Sequence, residues 1–245
     1  MKQMLKRIFE KITGLTIYKK LPHGQDPFDD LKFRFNDYSF DLFFDIGANI
    51  GQSISSIRKS YPGSNIWSFE PVQDTYKTLT ENVTDNKVKT FQFGFGSEKS
   101  EMEIYTSREG RGSDMFSIND VKIDTDKSSL NKETIKIETL DSFCRDNEIE
   151  KIDYVKIDTE GYDLEVLKGA KRLLKNNMLL FIETEVSMNP ENTFHVKFEE
   201  VKQYLEEYNY RLFGIYEQVQ EWPTKKPILR RVNAVFIAQT IYNTV

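Results

Sequence analysis

The stretch "FFDIGANIGQS", residues 43–53, sets an apolar run directly against two glycines, Gly47 and Gly51, with one carboxylate, Asp45, at the junction. A short continuous apolar run closed by a turn signal reads as a buried strand of a parallel sheet. The following "NIGQSISSIRKSYPG" reads as a helix with Ile50, Ile54 and Ile57 on one side, stopped by Pro62 and Gly63. The unit is strand, tight turn, helix. Its glycines let the backbone turn sharply and approach a ligand, and the free N–H groups of the helix start point at the same place.

The theme recurs along the chain. "NIWSFEP" is a short strand ending in Glu70 and Pro71, and "QDTYKTLTENV" is a helix that Asp74 is placed to cap. "VKTFQFGFG" is a third strand running into glycines. Between residues 97 and 140 the rhythm changes: "EMEIYTS" and "ETIKIETL" alternate as strands around the glycine-containing "REGRGSDM", which predicts a hairpin-like insertion. Alternation resumes with strand "IDYVKIDTEG", helix "DLEVLKGAKRLLKNN", strand "MLLFIETE", helix "KFEEVKQYLEEYN", strand "YRLFGIYE" and the closing apolar strand "NAVFIAQ". Repeated strand and helix units predict an open α/β sheet with helices on both faces.

The length, 245 residues, suits one large domain, expected over residues 31–245 after a helix and linker over residues 1–30. "PHGQDPFDD" is the expected linker. A formal net charge of -5 with no concentrated basic face argues against a nucleic-acid partner. The single cysteine, Cys144, excludes an intrachain disulfide framework, and a cytoplasmic location is expected. No apolar run approaches membrane-spanning length, the best being "MLLFI". Met4, Ile8, Ile12 and Leu15 recur at helical spacing beside Leu5 and Phe9, among Lys2, Lys6, Arg7 and Lys11. Residues 1–20 thus read either as a helix packed on the main domain or as one that contacts a partner or the inner face of a membrane.

In an open parallel sheet the ligand crevice lies beyond the carboxyl ends of the strands, and the quoted turn ends there. A dinucleotide cradle wants G-x-G-x-x-G, but Asn49 stands at the second glycine and Gln52 at the third. Asp45 beside the turn suits a cationic ligand better than a pyrophosphate. Glu70, at the end of the second strand, is placed to accept hydrogen bonds from ribose hydroxyls. An adenosine carrying a positive group, S-adenosylmethionine, fits both acids.

With these residues in hand, "FFDIGANIGQS", "SFEP", "ETLDSF" and "YVKIDTEGYDLEVLKGA", in this order, resemble the FkbM-type S-adenosylmethionine-dependent methyltransferases over roughly residues 40–240. The resemblance implies the class I methyltransferase fold: a Rossmann-like, doubly wound, mostly parallel sheet with an antiparallel C-terminal strand. It also implies cofactor contacts at Asp45, Gly47, Asn49, Gly51 and Glu70, and Ala48, Pro71 and Gly96 are further candidate cofactor contacts.

The methyl acceptor needs a group to take its proton. Alternation puts Asp158 and Glu160 on one side of their strand end, and Glu183 and Glu185 on one side of the next. Asp158, Glu160 and His195 are the candidate catalytic residues. Asp158, Glu183 and Glu185 are also a candidate oxygen-ligand set for a divalent cation such as magnesium, or else hold substrate hydroxyls. Arg108 and Arg111 sit in a stretch that reads as a lid or a solvated hairpin tip, and Trp222 with Pro223 as a sugar-stacking wall or a core edge. The leading expectation is an O-methyltransferase acting on a sugar or glycan precursor. A NAD-dependent oxidoreductase and an inert cofactor-binding module stay open as alternatives.

Overall fold

The computed structural model describes residues 2–16, 18, 22–107 and 130–243. Its strands are β1 (Leu42–Ile46), β2 (Asn65–Phe69), β3 (Val88–Phe91), β4 (Gly94–Phe95), β5 (Ser100–Ser107), β6 (Leu130–Glu138), β7 (Ile152–Ile157), β8 (Leu179–Ser187), β9 (Arg211–Gln220) and β10 (Leu229–Ile237). The helices are α1 (Lys2–Thr13), α2 (Pro27–Arg34), α3 (Gln52–Ser60), α4 (Gln73–Asn82), α5 (Leu140–Asp146), α6 (Asp163–Lys168), α7 (Lys171–Lys175), α8 (Phe198–Glu206) and α9 (Gln239–Tyr242).

Seven strands form one sheet in the order β3-β2-β1-β7-β8-β10-β9. The first five pair in parallel, and β10 runs antiparallel to both β8 and β9. The order reverses between β1 and β7, the place where an open sheet leaves a crevice at its strand ends. This is a doubly wound, mostly parallel arrangement, with the expected antiparallel C-terminal strand.

Each sheet face has its own core. On one, Phe44, Ile46, Val155, Ile157 and Ile182 pack with Val166, Leu173 and Val201 from α6, α7 and α8. On the other, Phe43, Tyr154 and Phe181 pack with Phe28 and Leu31 of α2 and Ile57 of α3. Fully burying a side chain of this size stabilises by about 1.5–3 kcal/mol, so the two cores fix the strand register on which the site depends.

Several boundaries differ from the sequence reading. The expected third strand divides: β3 joins the main sheet, while β4 joins β5 and β6 in a separate sheet of order β4-β6-β5. The expected long helix after β7 breaks at Gly169, where a Cβ would lie 2.0 Å from the Gly96 carbonyl oxygen. Asp141 then caps the new helix, its carboxylate accepting from the Arg172 and Leu173 N–H groups at 2.7 and 3.0 Å. Asp74 lies inside α4 and not at its cap, Val72.

Helix α2 begins inside the stretch read as linker, so the boundary expected at residue 31 falls within a helix whose Phe28, Asp30 and Leu31 are buried. Asp26 caps it by accepting from the Asp29 N–H at 2.9 Å. Asp30 accepts from the Gly24 N–H and the Tyr216 hydroxyl, tying this region to β9. Helix α1 leaves Met4, Phe9 and Ile12 exposed, so these residues do not pack on the main domain. The expected hairpin is present as β5 and β6, while Arg108 and Arg111 lie outside the described residues.

Candidate active site

The turn after β1 is built as its glycines require. Gly47 has φ +80°, and a Cβ there would lie 1.9 Å from the Asp158 carbonyl oxygen, so only glycine lets the β1 and β7 ends meet. Gly51 caps α3 at φ +96°, and Asn49 between them also takes a positive φ. The Gly47 and Ala48 N–H groups donate to the Phe69 carbonyl, holding the turn to the end of β2.

Glu70 clamps that turn. One carboxylate oxygen accepts from the Asn49 N–H at 3.0 Å and the other from the Val72 N–H at 2.9 Å. Burial pushes its pKa up to about 7 despite these two bonds, with Asp45 and Glu133 adding to the rise.

A cavity of about 460 Å³ opens at this point. Over the β1 and β2 ends it is lined by Gly47, Ala48, Asn49, Glu70 and Pro71, with Phe95 of β4, and over β8, β9 and β10 by Glu183, Glu217 and Asn233, with Ser53 and Lys156 also on the lining. Asp158 and Glu160 stand between these groups on the β7 end. Gly96 is not among the lining residues; it packs against Ile137, Tyr162 and Gly169.

Asp45 lies beneath the wall and not on it. The sheet register puts Ser68, Asp45, Lys156 and Glu183 in one row across β2, β1, β7 and β8, so the fully buried carboxylate neighbours a lysine. Neither oxygen of Asp45 has a hydrogen-bond partner of good geometry. Desolvation raises its pKa to about 6, with Lys156 and the nearby Ser53 hydroxyl opposing and Asp158 reinforcing. An orphaned buried carboxylate beside a glycine turn fits the positively charged end of S-adenosylmethionine, with Glu70 fitting its ribose.

Lys156 donates to Asp158 at 2.7 Å, and its pKa is raised by Asp158, Asp45 and Glu183 in spite of burial, so it stays charged. Glu183 accepts from the Tyr154 hydroxyl at 2.5 Å and from Asn233 at 3.0 Å. Glu185 is paired instead with Arg231 and His195. The expected oxygen set of Asp158, Glu183 and Glu185 is therefore not assembled, because each carboxylate is committed to different partners.

A different group does come together: Glu160, Glu185 and His195 offer ligand atoms within 4.8 Å of one another. His195 is buried and absent from the cavity lining, so it reaches the crevice only through Glu160. Asn192 decides its tautomer. The Phe194 N–H donates to Asn192 Oδ1 at 3.1 Å, so Asn192 Nδ2 faces His195 Nδ1 at 3.0 Å as donor. The histidine proton then sits on Nε2, 2.5 Å from Glu185 and 3.8 Å from Glu160. A protonated Nε2 neither binds a metal ion nor accepts a substrate proton, so the residues do not fit a cation here. Glu160, at φ +53°, has its pKa pushed up to about 8 by desolvation and by Asp158, Glu185 and Asp163.

Lys156, Tyr154, Glu217 and Asn233 were not among the sequence candidates. Alternation in "VKIDTEG" puts Lys156 on the Asp158 side and was a usable signal. Glu217 and Asn233 had none, since they reach the cavity through the irregular pairing of β9 and β10.

A family profile described as "Methyltransferase FkbM domain" matches residues 45–212, from Asp45 into β9. The chain belongs to the FkbM methyltransferase family. Among curated relatives of this FkbM chain, "Hexuronic acid methyltransferase AglP" of Haloferax volcanii is 28% identical over 154 residues, covering 62% of this chain and 59% of that protein. "Methyltransferase sdnD" of Sordaria araneosa is 28% identical over 175 residues, covering 55% and 65%. The FkbM chain thus spans about three fifths of the length of these relatives. A solved putative S-adenosylmethionine-dependent methyltransferase from Listeria monocytogenes aligns with TM-score 0.48 at 8% identity, covering 86% of this chain and 98% of that one.

Proposed function

We propose that this chain transfers a methyl group from S-adenosylmethionine to a hydroxyl of a sugar or glycan precursor. The observation that carries the reading is the continuity of one cavity from Glu70 on the cofactor side to Glu183, Glu217 and Asn233 on the other. That far wall is rich in hydrogen-bond acceptors, which suits a polyhydroxylated acceptor more than an apolar one. The hexuronic acid methyltransferase among the relatives supports a sugar in that place.

The bound cofactor supplies an electrophilic methyl group for in-line displacement. The protein's part is to orient the acceptor oxygen and take its proton. Glu160 lines the cavity and has a pKa of about 8, so it is better matched to that proton than Asp158, whose Oδ2 is held by Lys156. His195 and Glu185 act as positioning residues behind Glu160. No step requires a cation.

The test is S-adenosylhomocysteine release with a panel of hexuronic acids, nucleotide sugars and simple glycosides, followed by NMR of the product. A methyl ether on a sugar oxygen is expected. A base-labile methyl ester would overturn the hydroxyl assignment while keeping the sugar. Cofactor binding without turnover of any acceptor would favour the inert module.

A further inference from the structure

Among the described residues of α1 none lines the crevice, yet the exposed ones are organised. Met4, Phe9 and Ile12 are exposed, Ile12 by 78%, and at about 100° per residue they share one arc of roughly 140°. Lys6, Arg7 and Lys11 are exposed outside that arc, and Glu10 is the helix's sole acid. Leu15 and Tyr18, just beyond the helix, are exposed as well.

The charge is sharply divided. Residues 1–20 contain Lys2, Lys6, Arg7, Lys11, Lys19 and Lys20 against Glu10, a formal +5 in a chain of -5, which leaves -10 on all that follows. We infer that α1 docks on an anionic lipid surface, its apolar arc entering the interface and its basic residues meeting the headgroups. Charge complementarity chooses this occupant. A second copy of the chain offers net negative charge on a folded surface, whereas an anionic bilayer offers negative charge together with an apolar interior for Met4, Phe9 and Ile12.

No helix among the described residues is long and apolar enough to cross a membrane, so the contact is peripheral. Residues 14–25 connect α1 to Asp26, Pro27 and Phe28, which line the cavity. Twelve residues extend at most about 40 Å, so a docked α1 holds the crevice within that distance of the lipid.

Flotation of the full chain with phosphatidylcholine vesicles, with and without phosphatidylglycerol, tests this. Binding is expected only to the anionic vesicles and should weaken as salt is raised. Lys6→Glu with Lys11→Glu should abolish it, since each basic residue lost costs roughly fivefold in affinity, the factor that corresponds to about 1 kcal/mol, and each reversal costs more. Phe9→Asp with Ile12→Asp should abolish it too. All four residues are exposed, so thermal unfolding and cofactor binding should stay unchanged in both variants. Binding that is equal on the two vesicle types, or that survives either variant, would overturn the inference. So would a chain that floats with neither vesicle and elutes as a dimer that Phe9→Asp with Ile12→Asp dissolves.

Discussion

Replacing Asp45 by asparagine should stabilise the cofactor-free protein while weakening cofactor binding. Asp45 is fully buried without good hydrogen bonds, and its pKa rises from 3.8 to about 6. Folding therefore carries an ionisation penalty of about 3 kcal/mol at neutral pH, at 1.36 kcal/mol per unit. Because a raised carboxyl pKa means that the folded state holds the proton more tightly, the stabilisation from that proton is full below about pH 3.8. It is lost as pH rises to about 6. The penalty at pH 5 is roughly half that at pH 7.5. The Asp45→Asn change removes the charge but also a favourable neighbour of Lys156, so the net gain should fall between about 1 and 3 kcal/mol, or roughly 2–4 °C per kcal/mol in a domain of this size. Differential scanning calorimetry at both pH values, with and without S-adenosylmethionine, measures all of this. The upward shift in Tm should be larger at pH 7.5, and the cofactor-induced shift should shrink. A variant with a lower Tm and an undiminished cofactor shift would refute the assignment of Asp45 as a charge held ready for a cationic ligand.

Glu70→Gln should weaken S-adenosylmethionine binding roughly 10- to 100-fold by titration calorimetry, since hydrogen bonds to a charged group contribute about 1.5–3 kcal/mol. Unchanged affinity would remove Glu70 from the cofactor site. Gly47→Ala should prevent folding or lower Tm severely, because its Cβ would meet the Asp158 carbonyl at 1.9 Å, while Gly63→Ala, with nothing within 4 Å, should not. If Glu160 takes the acceptor's proton, turnover should rise with pH and level off near 8, and Glu160→Gln should lose both the rate and that profile. His195→Gln should move the profile more than KM, and a change confined to Tm would make His195 merely structural.

Much of the fold was legible because it rests on local patterns. The apolar run into Gly47, the acid at Glu70 and the "KIDTEG" stretch each report a strand end directly. Glu160 was expected on the Asp158 side by alternation, but it lies past the end of β7 at φ +53° and lines the cavity from the turn before α6. What escaped depends on distant partners. Nothing near Gly169 announces that Gly96 will press against it, and nothing near His195 announces that Glu160 and Glu185 will meet its Nε2. The expected cation set fails because alternation gives only a side of the sheet, whereas the side chains then choose among Lys156, Tyr154, Asn233 and Arg231.

The β5 and β6 hairpin carries a practical consequence. Ser107 and Leu130 stand directly opposite each other, so the chain leaves the ladder and re-enters it at one point. Residues 108–129 are thus topologically replaceable: an Asn-Gly turn in their place closes the same antiparallel pair. Such a minimal variant separates what that segment does for turnover from what the rest of the chain does for cofactor capture. The same point accepts a fluorophore or an affinity handle without touching the register of either sheet.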